Sequence, residues 1–188
     1  RALAAARDGL GGLDILVNNA GVGANGLFSL AQADRLRRVM EVNFFAPAEL
    51  IRAAMPLLSA GRRPLIVNVG SVLGHVAVPR KSEYCASKFA LHGLSDALRV
   101  ELAPQGIDVL LVSPSATESE FTANVLESDG RPPQRPLGLM TARRVAQQAV
   151  RAMRRGRREV ILSPGGKLAV WCDRLCPPLV NRLLVRYG

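Results

Sequence analysis

Four short runs along the chain are strongly apolar rather than alternating: Asp14 to Asn18, Leu65 to Val69, Ile107 to Val112 and Val160 to Leu162. Aliphatic, β-branched runs without a polar residue at every second position are expected of strands buried on both faces of a parallel sheet. Segments of helical length lie between them. The first, from about Leu30 to Leu58, contains Pro47 and Pro56, and each removes a backbone donor, so an interruption is expected there. The second, from about Ser82 to Leu102, carries Leu91, Leu94, Leu98 and Leu102 at helical spacing, and the third covers about Ala142 to Arg154. Alternation of strand and helix predicts an α/β fold: a doubly wound parallel sheet with right-handed crossovers, in three α/β/α layers.

Two segments fall outside this rhythm. Glu127 to Gly138, punctuated by Ser128-Asp129-Gly130, Pro132-Pro133 and Pro136, reads as a long loop, either a substrate lid or a surface excursion. The tail carries Leu168, Trp171, Leu175, Leu179 and Leu183 with Arg174, Arg182 and Arg186 interspersed, and Pro177-Pro178 forbids one straight helix. Packing on the body, covering a site and peripheral contact with a membrane surface all fit that pattern.

At 188 residues the chain is long enough for one domain, 1–188, with a sizeable core. Its 48% hydrophobic and 21% charged content argues against disorder. No apolar stretch approaches the ~18 residues a membrane-spanning helix needs. The chain opens Arg1-Ala2-Leu3 without an initiator Met and is read as truncated at its N-terminus. The net charge of +10 comes mostly from arginines bunched at Arg143-Arg144, Arg151, Arg154-Arg155 and Arg157-Arg158. Without interleaved aromatics this is read as a solvated helix face, not a nucleic-acid partner surface. Cys85, Cys172 and Cys176 are odd in number, which fits a reduced, cytoplasmic chain better than a disulfide framework. His75 and His92 lie away from any cysteine cluster, so no structural metal is expected.

In a sheet of this kind, ligands bind beyond the carboxyl ends of the strands. Asn18-Asn19-Ala20-Gly21 follows the first strand, Gly70-Ser71 the second, and Ser113-Pro114-Ser115-Ala116-Thr117 the third. Tyr84 and Lys88, four apart, share one face of the helix after the second strand. A phenol titrating near pH ~10 is a poor proton carrier at neutrality. An adjacent ammonium favours the phenolate and draws that value toward the working range. Ser71, thirteen residues before Tyr84, is placed to hold a substrate oxygen. Together these groups describe a carbonyl/alcohol redox site. Each also has a plainer reading: a packed tyrosine, a solvated lysine, turn asparagines, a serine that ends a strand.

These residues resemble the short-chain dehydrogenase/reductase family through Asn18-Asn19-Ala20-Gly21, Asn43 within Met40-Glu41-Val42-Asn43, Ser71, Tyr84-x-x-x-Lys88 and the Pro114 segment, in register from Leu13 to about Phe121. The resemblance implies a Rossmann-like fold and hydride transfer between NAD or NADP and a carbonyl or secondary alcohol. Tyr84 would then be the general acid/base. Lys88 would lower the phenol pKa and bind the nicotinamide ribose, Ser71 would bond the reacting oxygen, and Asn43 would position a water linking Lys88 to solvent. Cofactor contacts are implied for Asn18, Ala20, Gly21, Tyr84, Lys88, Pro114, Ser115, Thr117 and Ser119. Where the family commonly has Pro-Gly, this chain has Pro114-Ser115, and Ser119 stands where a threonine is frequent. The family's glycine-rich phosphate turn would precede Arg1, so NAD and NADP are not distinguished. Substrate contacts are expected from Ser71, Leu73, His75, Val76 and Phe121, whose surroundings suit an apolar small-molecule carbonyl compound. A homo-oligomer through the helices Leu30–Leu58 and Ser82–Leu102 is a further implication. The alternative on the same scaffold is a catalytically silent cofactor-binding or regulatory protein.

Overall fold

The computed structural model describes residues 2–118, 121, 125–126, 128 and 139–185. Ser119 and all but one residue of the 127–138 segment lie outside the described residues. The order of elements is α1 (Ala2–Leu10), β1 (Ile15–Asn18), α2 (Arg35–Met40), a π-helical turn (Glu41–Phe45), α3 (Ala46–Leu58), β2 (Leu65–Val69), α4 (Ser82–Glu101) and β3 (Asp108–Ser113). It continues with β4 (Thr117–Glu118), β5 (Met140–Thr141), α5 (Ala142–Arg154), β6 (Glu159–Ile161), α6 (Pro164–Leu175) and α7 (Pro177–Val185).

The four apolar runs become one parallel sheet in the order β1-β2-β3-β6, with Ile15 beside Leu65, Leu65 beside Asp108, and Leu111 beside Glu159. Alternate side chains of β2 and β3 build two cores. Ile66 and Val109 pack with Ile51, Ala54 and Leu58 of α3 and with Leu102. Val67, Leu110 and Val112 pack on the opposite face with Met140, Ala152 and Leu162. Helices therefore cover both faces, and the layers are α/β/α. The steps from β1 to β2 and from β2 to β3 run over the α3/α4 face, whereas the step from β3 to β6 runs over the α5 face. Stepping in one direction over opposite faces reverses the hand, so the crossovers are not all right-handed as the general rule had led us to expect. On β1, which α5 does not reach, Ile15 and Val17 are exposed.

The expected interruption between Leu30 and Leu58 takes the form of the π turn just before Pro47, while Pro56 sits inside α3 without ending it. Pro47 has no N–H to give to the carbonyl four residues back, that of Asn43. The strain is taken up by widening one turn, the usual setting of π-bulges. In the sheet interior, Asn18 Nδ2 donates to Asn68 Oδ1 at 2.8 Å, and Asn68 Nδ2 donates to Ser95 Oγ of α4 at 2.9 Å. The tail divides at Cys176 into α6 and α7, as the two prolines require.

Candidate active site

Beyond β2 the chain passes through Gly70 into a 3-10 turn, Val72–Gly74, capped by Ser71, whose Oγ accepts from the Leu73 N–H at 3.1 Å. The turn lies directly on α4. A Cβ at Gly74 would stand 2.8 Å from the Lys88 carbonyl oxygen, so only glycine permits this approach. That contact brings the second strand's end against the two motif residues of α4. The Ser71 side chain hydrogen-bonds Tyr84. Lys88, one turn on and buried, donates from Nζ to the Val69 carbonyl at 2.9 Å and lies 5.8 Å from the Tyr84 ring centre. Ser71, Tyr84 and Lys88 thus meet as their spacing predicts.

Their electrostatics differ from expectation. Burial pushes the Tyr84 phenol up to about 12; the Ser71 hydrogen bond opposes this and Cys85 adds slightly to it. Burial also draws Lys88 down to about 8. The lysine does not lower the phenol as the i,i+4 spacing suggested, because its ammonium is turned to the Val69 carbonyl and desolvation outweighs the charge. At neutral pH the phenol is therefore protonated.

Asn43 is fully buried on the π turn. Its Oδ1 accepts from the Val22 N–H at 2.9 Å, and its Nδ2 donates to the Val22 carbonyl at 3.0 Å and to Ser87 Oγ at 2.9 Å. Ser87 in turn donates to the Tyr84 carbonyl at 2.8 Å. Both Nδ2 hydrogens are used, so the side chain clamps the segment after β1 to α4 at Tyr84.

An open cleft of about 600 Å³ runs beside this clamp, lined by Ala20, Gly21, Val22, Arg38, Val42, Val125 and Leu126. A Cβ on Gly21 would sit 3.4 Å from Asn43 Oδ1 and 3.6 Å from Lys88 Nζ, so the glycine opens the cleft toward the lysine. Asn18, by contrast, is turned into the sheet toward Asn68. Pro114 receives the Val72 N–H on its carbonyl at 2.9 Å, which ties the third strand's end to the 3-10 turn. The Ser115 hydroxyl is bonded to Ser163, the N-cap of α6, and Thr117 Oγ1 donates to the Ser115 carbonyl at 3.0 Å. Phe121 packs edge-on against Tyr84 with ring centres 5.5 Å apart.

The residues expected to meet a substrate divide. Leu73 is partly exposed, but His75 and Val76, expected at the substrate surface, are buried. The 3-10 turn eclipses residues three apart, so His75 follows Val72 inward. His75 Nε2 pairs with Ser113 Oγ at 2.8 Å, and its ring lies 4.3 Å from that of His92. Val76 joins Val72 and Val170 in a small core.

The short-chain dehydrogenase family model matches residues 1–130. The chain belongs to that family. Dehydrogenase/reductase SDR family member 7B of Bos taurus is 33% identical over 183 residues, covering 93% of this chain and 55% of the relative. A 3-ketodihydrosphingosine reductase of Bacteroides thetaiotaomicron is 39% identical over 114 residues, 61% of this chain and 42% of its own. The solved structure of a Burkholderia cenocepacia short-chain dehydrogenase in complex with NADP superposes with a TM-score of 0.82 at 27% identity, covering 98% of this chain and 72% of that one. The chain spans about half the length of the curated relatives it matches. In this member of the family, two positions lie outside the motifs. One is Ser87, whose signal was a small polar residue on the inward face of α4. The other is Glu83, buried beside Tyr84 in an ion pair with Arg35.

Proposed function

We propose that this chain is the catalytic part of an NAD- or NADP-dependent oxidoreductase that interconverts a carbonyl compound and a secondary alcohol. The observation that carries the reading is the meeting of Ser71, Tyr84 and Lys88 at the end of β2. A bound nicotinamide supplies or accepts the hydride at the substrate carbon. The chain's own groups manage the oxygen. Ser71 orients it by hydrogen bonding, and Tyr84, protonated at neutral pH, gives its proton to the oxygen as the carbonyl is reduced. In the reverse direction the alcohol's proton would go to the Tyr84 oxygen only in its phenolate form, the form left after that donation.

The residues present fit the cofactor. Gly21 keeps the cleft open toward Lys88, and the lysine, with one N–H given to Val69, has two further donors for ribose hydroxyls. The relative crystallised with NADP and the two named reductases support this reading without deciding between NAD and NADP. Leu73 and Phe121 favour an apolar substrate. The exposed Phe45, Leu50 and Phe89 of the helices around the site suit self-association.

Tyr84→Phe in the full chain tests the reading. Carbonyl-dependent consumption of reduced nicotinamide cofactor is expected to fall by about 100-fold or more, with cofactor binding and fold retained. Turnover near wild type would remove Tyr84 as proton donor.

A further inference from the structure

The two C-terminal helices present an apolar surface that no other described residue covers. On α6, Gly166 and Val170 are buried against the body, and Leu168, Trp171 and Leu175 point the other way, 65%, 60% and 77% exposed. Spaced i, i+3 and i+7, they form one stripe. On α7, Leu179 and Leu183 continue it at 55% and 49% exposure, and no residue of that nine-residue helix is buried. A helix this short is marginal in water without a packed face. Large apolar patches on a soluble surface mark an interaction site.

The charges around the patch indicate what covers it. Lys167, Arg174 and Arg182 flank the stripe and are exposed, against one half-buried acid, Asp173, between Pro164 and Val185. The chain as a whole carries +10. An apolar stripe with a tryptophan at its edge and cations beside it matches the headgroup boundary of an anionic bilayer. No described helix is long and apolar enough to cross a membrane, so the contact would lie in the plane of the surface.

We infer that α6 and α7 dock this protein on anionic lipid surfaces, with Leu168, Trp171, Leu175, Leu179 and Leu183 entering the headgroup layer. The inner side of α6 is fixed to the substrate-side turn: Val170 packs on Val72 and Val76, and a Cβ at Gly166 would come within 2.7 Å of both Val72 and Ser115. Docking therefore sets the lipid surface beside the proposed substrate entrance. The docking itself does not depend on Tyr84.

The test is co-sedimentation of the full chain with vesicles of phosphatidylcholine alone and of phosphatidylcholine mixed with phosphatidylserine. The wild type is expected to partition onto the mixed vesicles. Trp171→Glu with Leu175→Glu is expected to abolish this, and Arg174→Glu with Arg182→Glu to weaken it at least about tenfold. All four positions are exposed, and circular dichroism of each variant establishes that it is folded. Wild-type protein left in the supernatant with mixed vesicles would overturn the inference. So would equal partitioning of the folded Trp171→Glu, Leu175→Glu variant. A dimer in light scattering that this variant dissolves, with no vesicle binding by either form, would assign the face to a second copy instead.

Discussion

Arg35 reaches from α2 to the residue preceding Tyr84: its Nε and Nη2 donate to Glu83 Oε1 at 2.8 and 2.6 Å, with both side chains almost wholly buried. The pair pins the first turn of α4 to α2 from the side opposite the 3-10 turn.

Removing one member of such a pair takes from the buried charge that stays its ion-pair partner across α2 and α4. Glu83→Gln is expected to lower the unfolding free energy by about 3–5 kcal/mol, measured as a shift of the urea midpoint, whereas replacing both by apolar residues of similar volume recovers most of it. A single substitution within about 1 kcal/mol of wild type would mean that the pair does not hold α4 in place.

Lys88 makes stability depend on pH at the alkaline end. Its folded value of about 8 lies below the ordinary 10.5, so between these limits the unfolded chain binds more protons than the folded one. Stability is therefore expected to rise from pH 8 toward 10.5, by up to about 3 kcal/mol if the full shift is realised. Lys88→Met is expected to flatten that rise while weakening nicotinamide-cofactor binding in a fluorescence titration. Unchanged slope and unchanged affinity would contradict both assignments.

His75 acts at the acid end. Burial, then His92 and Arg174, hold it near 4, with Asp96 opposing; Glu159 Oε1 stands 3.5 Å from its Nε2. Because the folded value lies below the ordinary 6.5, the unfolded state takes up protons first. Stability is expected to fall as pH drops from 6.5 toward 4. His75→Gln, which keeps a polar partner for Ser113, should make thermal midpoints less sensitive over that range. A slope identical to wild type would place the acid response elsewhere.

The strands were legible because a parallel sheet covered on both faces at β2 and β3 leaves little room for polar side chains, and the meeting of Ser71, Tyr84 and Lys88 followed from i,i+4 geometry and strand-end position. The Tyr84 electrostatics were not legible: spacing gives the proximity of Lys88 but not the burial that outweighs it, nor the Val69 carbonyl that claims the ammonium. The Arg35–Glu83 pair joins residues with no periodic relation. The inward turn of His75 depended on a 3-10 turn that apolar patterning does not distinguish from a loop. Proline at 47 warned of an interruption, yet a widened turn and a broken helix share that signal.

The amide chain from Asn18 through Asn68 to Ser95 has a further effect on how the sheet assembles. Aliphatic parallel strands can slide by two residues and still bury the same faces, so greasy contacts alone tolerate several alignments. Two carboxamides in the middle of that grease meet only when β1 and β2 are in one alignment, and any other leaves them dry and unbonded. The pair therefore acts as an indexing pin, costly in every misaligned state, and it fixes how far each strand end projects toward the cleft.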